Sequence, residues 1–323
     1  MPETTTAGIS RRRFLQITAA AGALLVGGRL LSRHPLHTSR ETRTLMGTVI
    51  NLALVTPDRE AGQEAVERTF AEMARLILLF DHRRPEAALA RLNETGRLAS
   101  PALELLELLE LLSLAVHYGE LTGGAFDVTI KPRLDGNPAH VDYRQLAISP
   151  WEIRLDKPGM AVTLDGIAKG RVVDGAVASL AACGFDNVLV EAGGDLFGGG
   201  ARADGSPWRV GVAHPRAGNG ALLATFAIGA RAMATSGDYQ QVFTPDFSQH
   251  HIVDPRTGRS PAELASATVL APSATDADAL STACLVLGKD AGLALLEQLP
   301  HVAGLLVTKE MARFATRDFP SEL

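Results

Sequence analysis

Asp278 and Thr282 lie four residues apart in a segment that predicts a helix, so their side chains share one face of it. A carboxylate and a hydroxyl are poor ligands for zinc. They suit a hard cation that takes oxygen ligands and leaves room for substrate phosphates, and Mg²⁺ is such a cation. The same two residues could instead serve the helix alone, with the acid complementing the helix dipole and the threonine bonding back to the chain.

A second candidate region is the segment 163–195, which begins with Gly166, Lys169 and Gly170. Glycines let a ligand approach the backbone, and a lysine beside a helix N-terminus favours phosphate. A predicted helix follows and ends at Gly184, and a short buried strand then leads to a second glycine pair. The segment therefore predicts a phosphate-binding loop with a second glycine loop beside it. Alternatively, these glycines only make turns.

Composition indicates a soluble globular protein of one large or two closely packed domains. The chain has 323 residues, of which 46% are hydrophobic and 21% charged. A formal net charge of -5 argues against nucleic acid as a partner, because nucleic acids are bound through an excess of Lys and Arg. Cys183 and Cys284 both stand in apolar helical settings and are predicted core residues, although a single disulfide stays open.

The first forty residues predict export rather than a folded part of the domain. Residues 10–16, SRRRFLQ, precede an apolar run at 17–31, a pattern that resembles a twin-arginine signal. The predicted location is therefore the periplasm or the outer face of the cytoplasmic membrane. A clean cleavage site is missing, so the segment could remain as a membrane anchor. We predict a signal and linker over residues 1–40 and one domain over 41–323.

The remaining pattern mixes strands and helices without strict alternation, which predicts an α+β fold with mixed or antiparallel sheets and packed helices. A loop entering a strand is predicted at 122–129. Helices are predicted at 57–80, up to 93, from 100 to 122, after 170, at 275–287 and once more near the C-terminus. Strands are predicted at 45–55, 151–164 (a pair turning at 157–159), 188–190, 208–213, 221–228, 231–235, the start of 249–258, 265–271 and 304–307.

Seven short motifs together resemble the ApbE-type flavin transferases, which are FAD:protein FMN transferases. They are MGT at 46–48, GAFDVT at 124–129, GIAKG at 166–170, GGD at 193–195, ATSGDY at 234–239, HIVDPRTG at 251–258 and ADALSTA at 277–283. The resemblance implies an exported α+β protein of ApbE-like (T-fold-like) architecture. It also implies that Mg²⁺ assists cleavage of the FAD pyrophosphate, that FMN is joined by a phosphoester bond to a Thr or Ser of an acceptor protein, and that AMP leaves.

The resemblance also implies roles for individual residues. Mg²⁺ would be held by the side chains of Asp278 and Thr282 and by the backbone carbonyl of Gly166. Asp278 and His251 are the predicted catalytic residues, and a neutral imidazole can accept the proton of the acceptor hydroxyl near pH 7. Alternatively, His251 is merely hydrogen-bonded in a strand, and its neighbour His250 could be confused with it. The predicted FAD contacts are Met46, Ala125, Phe126, Asp127, Thr163, Lys169 and His251.

Some positions depart from the family pattern. Thr163 stands where an aspartate is usual, with Asp165 displaced by two residues. Arg83 takes the place of a loop aromatic, Ala87 takes that of a serine, and the segment after Pro132 is short. These changes could alter substrate preference or weaken the enzyme. An FAD pyrophosphatase, with water replacing the acceptor hydroxyl, and an exported FAD-binding or carrier protein without turnover are therefore alternatives.

Overall fold

The computed structural model describes residues 35–99, 103–137, 140–218 and 220–323. The twin-arginine motif and the apolar run after it lie outside these residues. Within the described ranges, no helix combines the length and the apolar character that crossing a bilayer requires.

Antiparallel sheets form the centre of the fold. The strands are β1 (His37–Leu45), β2 (Thr48–Thr56), β3 (Arg97–Ala99), β4 (Leu146–Ser149), β5 (Glu152–Leu155), β6 (Val188–Ala192), β7 (Asp195–Gly199), β8 (Trp208–Ala213), β9 (Leu222–Ile228), β10 (Arg231–Gly237), β11 (Leu264–Ala271), β12 (Ala303–Thr308) and β13 (Arg313–Ala315). The main sheet has the order β1-β2-β6-β7-β10-β11-β12-β13, and each neighbouring pair is antiparallel. A small sheet of β3, β5 and β4 and a β8–β9 hairpin complete the set.

Helices cover one face of the main sheet, and the β8–β9 hairpin packs on the other. The helices are α1 (Arg59–Phe80), α2 (Ala88–Thr95), α3 (Leu103–Leu121), α4 (Lys131–Leu134), α5 (Ala168–Ala182), α6 (Ala274–Leu287) and α7 (Lys289–Gln298). Strand β2 shows the arrangement, because successive side chains of a strand point to opposite faces. Ile50, Leu52 and Leu54 pack in the core beneath the helices, whereas Ala53 and Val55 pack in the core under the hairpin.

The long periodic elements agree with the sequence prediction, namely α1, α3, α5, α6, β8, β9, β10, β11 and β12. Strand β1 was not predicted, because its sequence HTSRETRTL lacks an apolar alternation. It begins at His37 and so extends into the segment 1–40 that was predicted as signal and linker.

The predicted strand pair at 151–164 is wrong. Strands β4 and β5 form the hairpin instead, and residues 160–164 form no strand. The side chain of Asn93 takes the place of a strand partner there: its amide nitrogen donates to the carbonyl of Val162 at 2.8 Å, and its oxygen accepts from the Val162 N–H at 2.6 Å. A side chain 69 residues away thus satisfies this backbone, which no local pattern could indicate.

Two shorter predictions are also wrong. The loop at 122–129 enters a 3-10 turn, Val128–Ile130, rather than a strand, because Asp127 caps it through the N–H of Thr129 at 2.8 Å. The segment 249–258 makes only isolated bridges, one between Val242 and His250 and one between Asp254 and Arg259.

Candidate active site at the crossing of two helices

The N-terminus of α5 is capped from another helix. Ile167 precedes α5 and offers no side-chain cap. Instead, the buried carboxylate of Asp278 on α6 accepts a hydrogen bond from the N–H of Gly170 at 3.0 Å. Lys169 and Gly170 therefore belong to the first turn of α5, and the sequence-based placement of both in a loop was wrong. A carboxylate at this position satisfies a free N–H and complements the helix dipole.

The N-terminus of α6 is capped in return by α5. The carboxylate of Asp174 accepts from the N–H groups of Ala274 at 2.8 Å and Thr275 at 2.9 Å. A side chain at Gly170 would prevent this approach, because its Cβ would lie 2.2 Å from the carbonyl oxygen of Ala274. Gly170 is thus required by helix packing, and the reciprocal caps fix the two N-termini against each other.

Lys169 joins two buried carboxylates. Its ammonium donates to Asp195 and lies 3.2 Å from Asp278, and both acids are almost fully buried. Burial alone would disfavour the charged amine, but attraction to Asp195 and Asp278 raises the pKa of Lys169 above its ordinary value. Burial, together with repulsion from Asp278, raises the pKa of Asp195. Two carboxylates facing one lysine leave the site rich in oxygen donors for a cation.

The three predicted metal donors lie together. Thr282 follows Asp278 by one turn of α6, and a Cβ built on Gly166 would lie 3.3 Å from the Thr282 hydroxyl and 3.1 Å from the Phe126 ring. The absence of a side chain at Gly166 therefore keeps this space open. The Thr282 hydroxyl also lies 3.1 Å from that of Ser236 on β10.

This donor set fits a hard cation. No cluster of three His, Cys, Asp or Glu side chains able to hold a metal occurs among the described residues. The predicted donor set is of a different kind, because it combines one carboxylate with a hydroxyl and a backbone carbonyl. Oxygen donors of these three kinds are those that Mg²⁺ accepts alongside phosphate oxygens and water.

The residues 125–127 line the same region, but the acid among them is engaged within the protein. Ala125 and Phe126 are buried, and the Phe126 ring lies next to Gly166. One oxygen of Asp127 accepts from the N–H and hydroxyl of Thr129, and the other accepts from the Tyr143 N–H at 3.0 Å. A contact between the Asp127 carboxylate and FAD therefore does not fit this geometry. The predicted FAD contact of Asp127 stays a prediction for its backbone.

Met46 occupies the two-residue turn between β1 and β2. Its φ of 53° and that of Gly47, 68°, suit the hairpin turn that needs positive φ at both positions. A methionine with this backbone conformation is strained, and such positions cluster at functional sites. The N–H of Gly193, in the turn before Asp195, donates to Val49 at 3.2 Å. The turn carrying Met46 thus adjoins the turn that leads to Asp195.

Thr163 uses its polar groups locally. Its N–H donates to Val128 at 2.8 Å, and its hydroxyl accepts from the N–H of Asp165 at 3.2 Å. The residue is buried and shapes the turn that precedes Gly166. Its predicted contact with FAD stays a prediction.

His251 lies in the connection between β10 and β11, where its N–H donates to the carbonyl of Gln241 at 3.0 Å. Burial, followed by the nearby His250, lowers the pKa of His251, and the charges of Lys169 and Asp165 also act on it. Burial therefore favours the neutral imidazole. His250 is fully buried, with Nε2 placed 3.3 Å from the Pro261 carbonyl.

Arg83 and Asp165, two positions that differ from the family pattern, form an ion pair. The guanidinium of Arg83 donates two hydrogen bonds to the Asp165 carboxylate, at 2.8 and 2.7 Å, and His82 lies 3.5 Å from the same carboxylate. Burial raises the pKa of Asp165, but the hydrogen bonds from His82 and Arg83, together with the positive charge of Arg83, outweigh it and lower this pKa. This ion pair joins the loop after α1 to the turn that holds Gly166.

Sequence reasoning gave no role to Asp195 or Ser236. Asp195 was quoted only as the end of a GGD motif, yet it binds Lys169. Ser236 was quoted within ATSGDY, and it contacts the hydroxyls of Thr282 and Ser281. The available signal was an acid directly after a glycine turn, next to a strand, in a chain with a lysine at a helix start.

An antiparallel α+β fold that gathers a lysine, two carboxylates and two hydroxyls beside the N-terminus of a helix can hold a phosphate group together with a divalent cation. The chain belongs to the ApbE family, whose sequence model matches residues 46–306. The fold and the family that the motifs predicted are thereby confirmed.

The chain is similar to proteins named FAD:protein FMN transferase. The one from Vibrio cholerae is 30% identical over 94% of this chain and 97% of its own length. The one from Treponema pallidum is 30% identical over 75% of this chain and 76% of its own length. The solved apo form of the flavinyl transferase ApbE from Pseudomonas stutzeri matches with a TM-score of 0.77 and 26% identity, over 89% of this chain and 97% of that one.

Proposed function

We propose that this chain is an Mg²⁺-dependent FAD:protein FMN transferase. It cleaves the pyrophosphate of FAD, joins FMN by a phosphoester bond to a Thr or Ser of an acceptor protein, and releases AMP. Membership of the ApbE family and the names of its relatives support this activity. The observation that carries the proposal is the convergence of Gly166, Lys169, Asp278 and Thr282 at the crossing of α5 and α6.

The residues that would hold Mg²⁺ are Asp278, Thr282 and the backbone carbonyl of Gly166. The ion would neutralise negative charge on the pyrophosphate and on the leaving AMP. Asp278 is held for this role by the N–H of Gly170, which fixes the orientation of its carboxylate. Lys169 supplies a second positive charge to the phosphates from within the same cluster.

The protein's other residues bind FAD and move a proton. Met46, Ala125 and Phe126 contribute apolar and backbone surface to the dinucleotide, with Asp127 and Thr163 shaping the adjoining turns. His251 accepts the proton of the acceptor hydroxyl while the oxygen of that hydroxyl forms a bond to the phosphorus of the FMN half. The bond between that phosphorus and the bridging oxygen breaks, and AMP leaves with the bridging oxygen.

One assay tests the proposal against its alternatives. The purified domain is incubated with FAD and Mg²⁺, with and without an acceptor carrying an Asp-x-x-x-Gly-Ala-Thr-type motif. We expect AMP and flavin-labelled acceptor in equal amounts, and loss of both with EDTA. AMP and free FMN without labelled protein would instead indicate a pyrophosphatase. Bound FAD that is never cleaved would indicate a carrier.

We also propose export by the twin-arginine route to the periplasm or the outer face of the cytoplasmic membrane. The support is the SRRRFLQ motif at 10–16 followed by an apolar run. Replacing Arg11 and Arg12 with Lys should retain the full-length protein in the cytoplasmic fraction. Unchanged secretion of that variant would contradict the proposal, and the size of the exported form shows whether the segment is removed.

A further inference from the structure

A long connection, residues 239–263, joins β10 to β11 and carries His251; it is called the His251 loop here. Backbone hydrogen bonds inside the loop join residues that are near one another in sequence: Phe243 donates to Gln249 at 2.8 Å, His251 to Gln241 at 3.0 Å and Asp254 to Arg259 at 2.8 Å. They shape its turns but do not tie the loop to the rest of the fold. Loops of this length without regular structure need anchoring from outside if one of their side chains is to hold a fixed position.

A buried ion pair anchors the start of this loop. Asp238 directly precedes it and is fully buried, and its N–H donates to the Ala265 carbonyl at 3.0 Å. The guanidinium of Arg216, in the connection between β8 and β9, donates to both Asp238 oxygens at 2.8 Å. Two parallel hydrogen bonds of this kind fix the plane of the guanidinium.

Arg216 and a second cation, Lys309, also hold the far side of the loop, at Phe247. The Arg216 guanidinium carbon lies 4.1 Å from the centre of the Phe247 ring. Lys309, which follows β12, donates to the Phe247 carbonyl at 2.7 Å and lies 3.7 Å from Asp238. Phe247 has a φ of 59°, a conformation that a phenylalanine keeps only when its surroundings impose it.

The contacts continue from Phe247 to the residue before the predicted base. The His250 N–H donates to the Ser260 hydroxyl at 3.0 Å, and that hydroxyl donates to the His250 carbonyl at 2.9 Å. His251 therefore follows directly on a backbone that is fixed at Phe247 by Arg216 and Lys309, and at His250 by Ser260.

We propose that Arg216 is a positioning residue for the transfer reaction, holding the His251 loop through Asp238 and Phe247 and so fixing the position of the His251 imidazole. The inference rests on the proposed function for its catalytic consequence. Arg216 touches neither the proposed metal donors nor the proposed FAD contacts. It should therefore affect the rate of transfer more than the binding of FAD.

The test compares Arg216→Met with Arg216→Lys and with a control, Arg154→Met, which removes an exposed ion pair between Arg154 on β5 and Asp156. For Arg216→Met we expect kcat for transfer to fall about tenfold or more, because small displacements of a catalytic group are costly. KM for FAD should change much less than kcat, since His251 alone among the proposed FAD contacts lies in the loop. Arg216→Lys should restore part of kcat, and Arg154→Met should behave as the wild type.

Hydrogen exchange separates this inference from the proposed function. Amides of residues 241–251 should exchange faster in Arg216→Met, while those of α5 and α6 stay protected. Should the wild type transfer no flavin, the proposed function fails, but the exchange result still decides whether Arg216 holds the loop. If Arg216→Met does not fold, the double variant Arg216→Met with Asp238→Asn removes both buried charges and is measured instead. Wild-type kcat with unchanged exchange in the folded variant would overturn the inference.

Discussion

The ammonium of Lys169 lies 3.2 Å from the carboxylate of Asp278, so a cation already occupies the acid that is proposed to hold Mg²⁺. Lys169 also binds Asp195, which would leave it a partner if Asp278 held the proposed metal. The two carboxylates thus allow one lysine and one divalent ion to coexist. Such an arrangement can place two positive charges against a pyrophosphate without leaving either acid unpaired.

Asp278→Asn should abolish Mg²⁺-dependent AMP release, with a loss of about 100-fold or more, because a charged metal ligand is removed. Through the cap alone it should change the unfolding free energy by less than about 1 kcal/mol, because asparagine caps a helix N-terminus about as well as aspartate. Asp174→Asn is the matched control, since Asp174 caps α6 and is not a proposed ligand. Urea unfolding and an AMP assay measure both effects. Equal activity of the two variants would contradict the metal site.

The pH dependence of transfer should report His251. Burial lowers the pKa of this imidazole, so it stays neutral, and able to accept a proton, at pH values below its ordinary value of about 6.5. We therefore expect kcat/KM to be level at neutral pH and to fall only at pH values more acid than 6.5. His251→Gln should reduce kcat by about 10²-fold or more while FAD still binds. An acid limb centred above pH 6.5 would be inconsistent with this environment.

Gly170→Ala should destabilise the protein although alanine favours helices. The Cβ of the alanine would lie 2.2 Å from the Ala274 carbonyl oxygen. This oxygen belongs to the backbone, so it cannot move aside as the end of a flexible side chain could. Overpacking of this kind costs about 1–3 kcal/mol, against a gain in helix propensity of about 1 kcal/mol. Gly229→Ala is the control, because no atom lies within 4 Å of the Cβ it would add. A rise in the urea midpoint for Gly170→Ala would count against the close crossing of α5 and α6.

The Arg83–Asp165 pair should act as one unit in FAD binding. Arg83→Ala and Asp165→Ala should each weaken FAD binding by about fivefold, or ~1 kcal/mol, because both side chains are partly exposed. The double variant should lose little more than either single one, since each loses the same contact. Flavin fluorescence titration measures the three affinities. Additive losses would show that the two residues contact FAD independently.

The sequence allowed much of the helical part of the site to be predicted. The i to i+4 spacing of Asp278 and Thr282 places them on one face of α6, and the apolar period of α5 locates its end at Gly184. Periodicity carries this information because it is local. It could not show that Asp278 caps α5, or that Arg83 and Asp165, 82 residues apart, form an ion pair. It also failed at residues 160–164, where Asn93 substitutes for a strand.

The crossed caps of α5 and α6 make the two helices one cooperative unit. Separating them would remove the capping carboxylate from both N-termini at once. A partial separation would therefore cost both caps. The crossing of α5 and α6 should therefore not open by slow local motions. A bulky dinucleotide would have to enter between the surrounding turns. We therefore expect motion in the connections between elements, while α5 and α6 hold the residues of the proposed site in fixed positions.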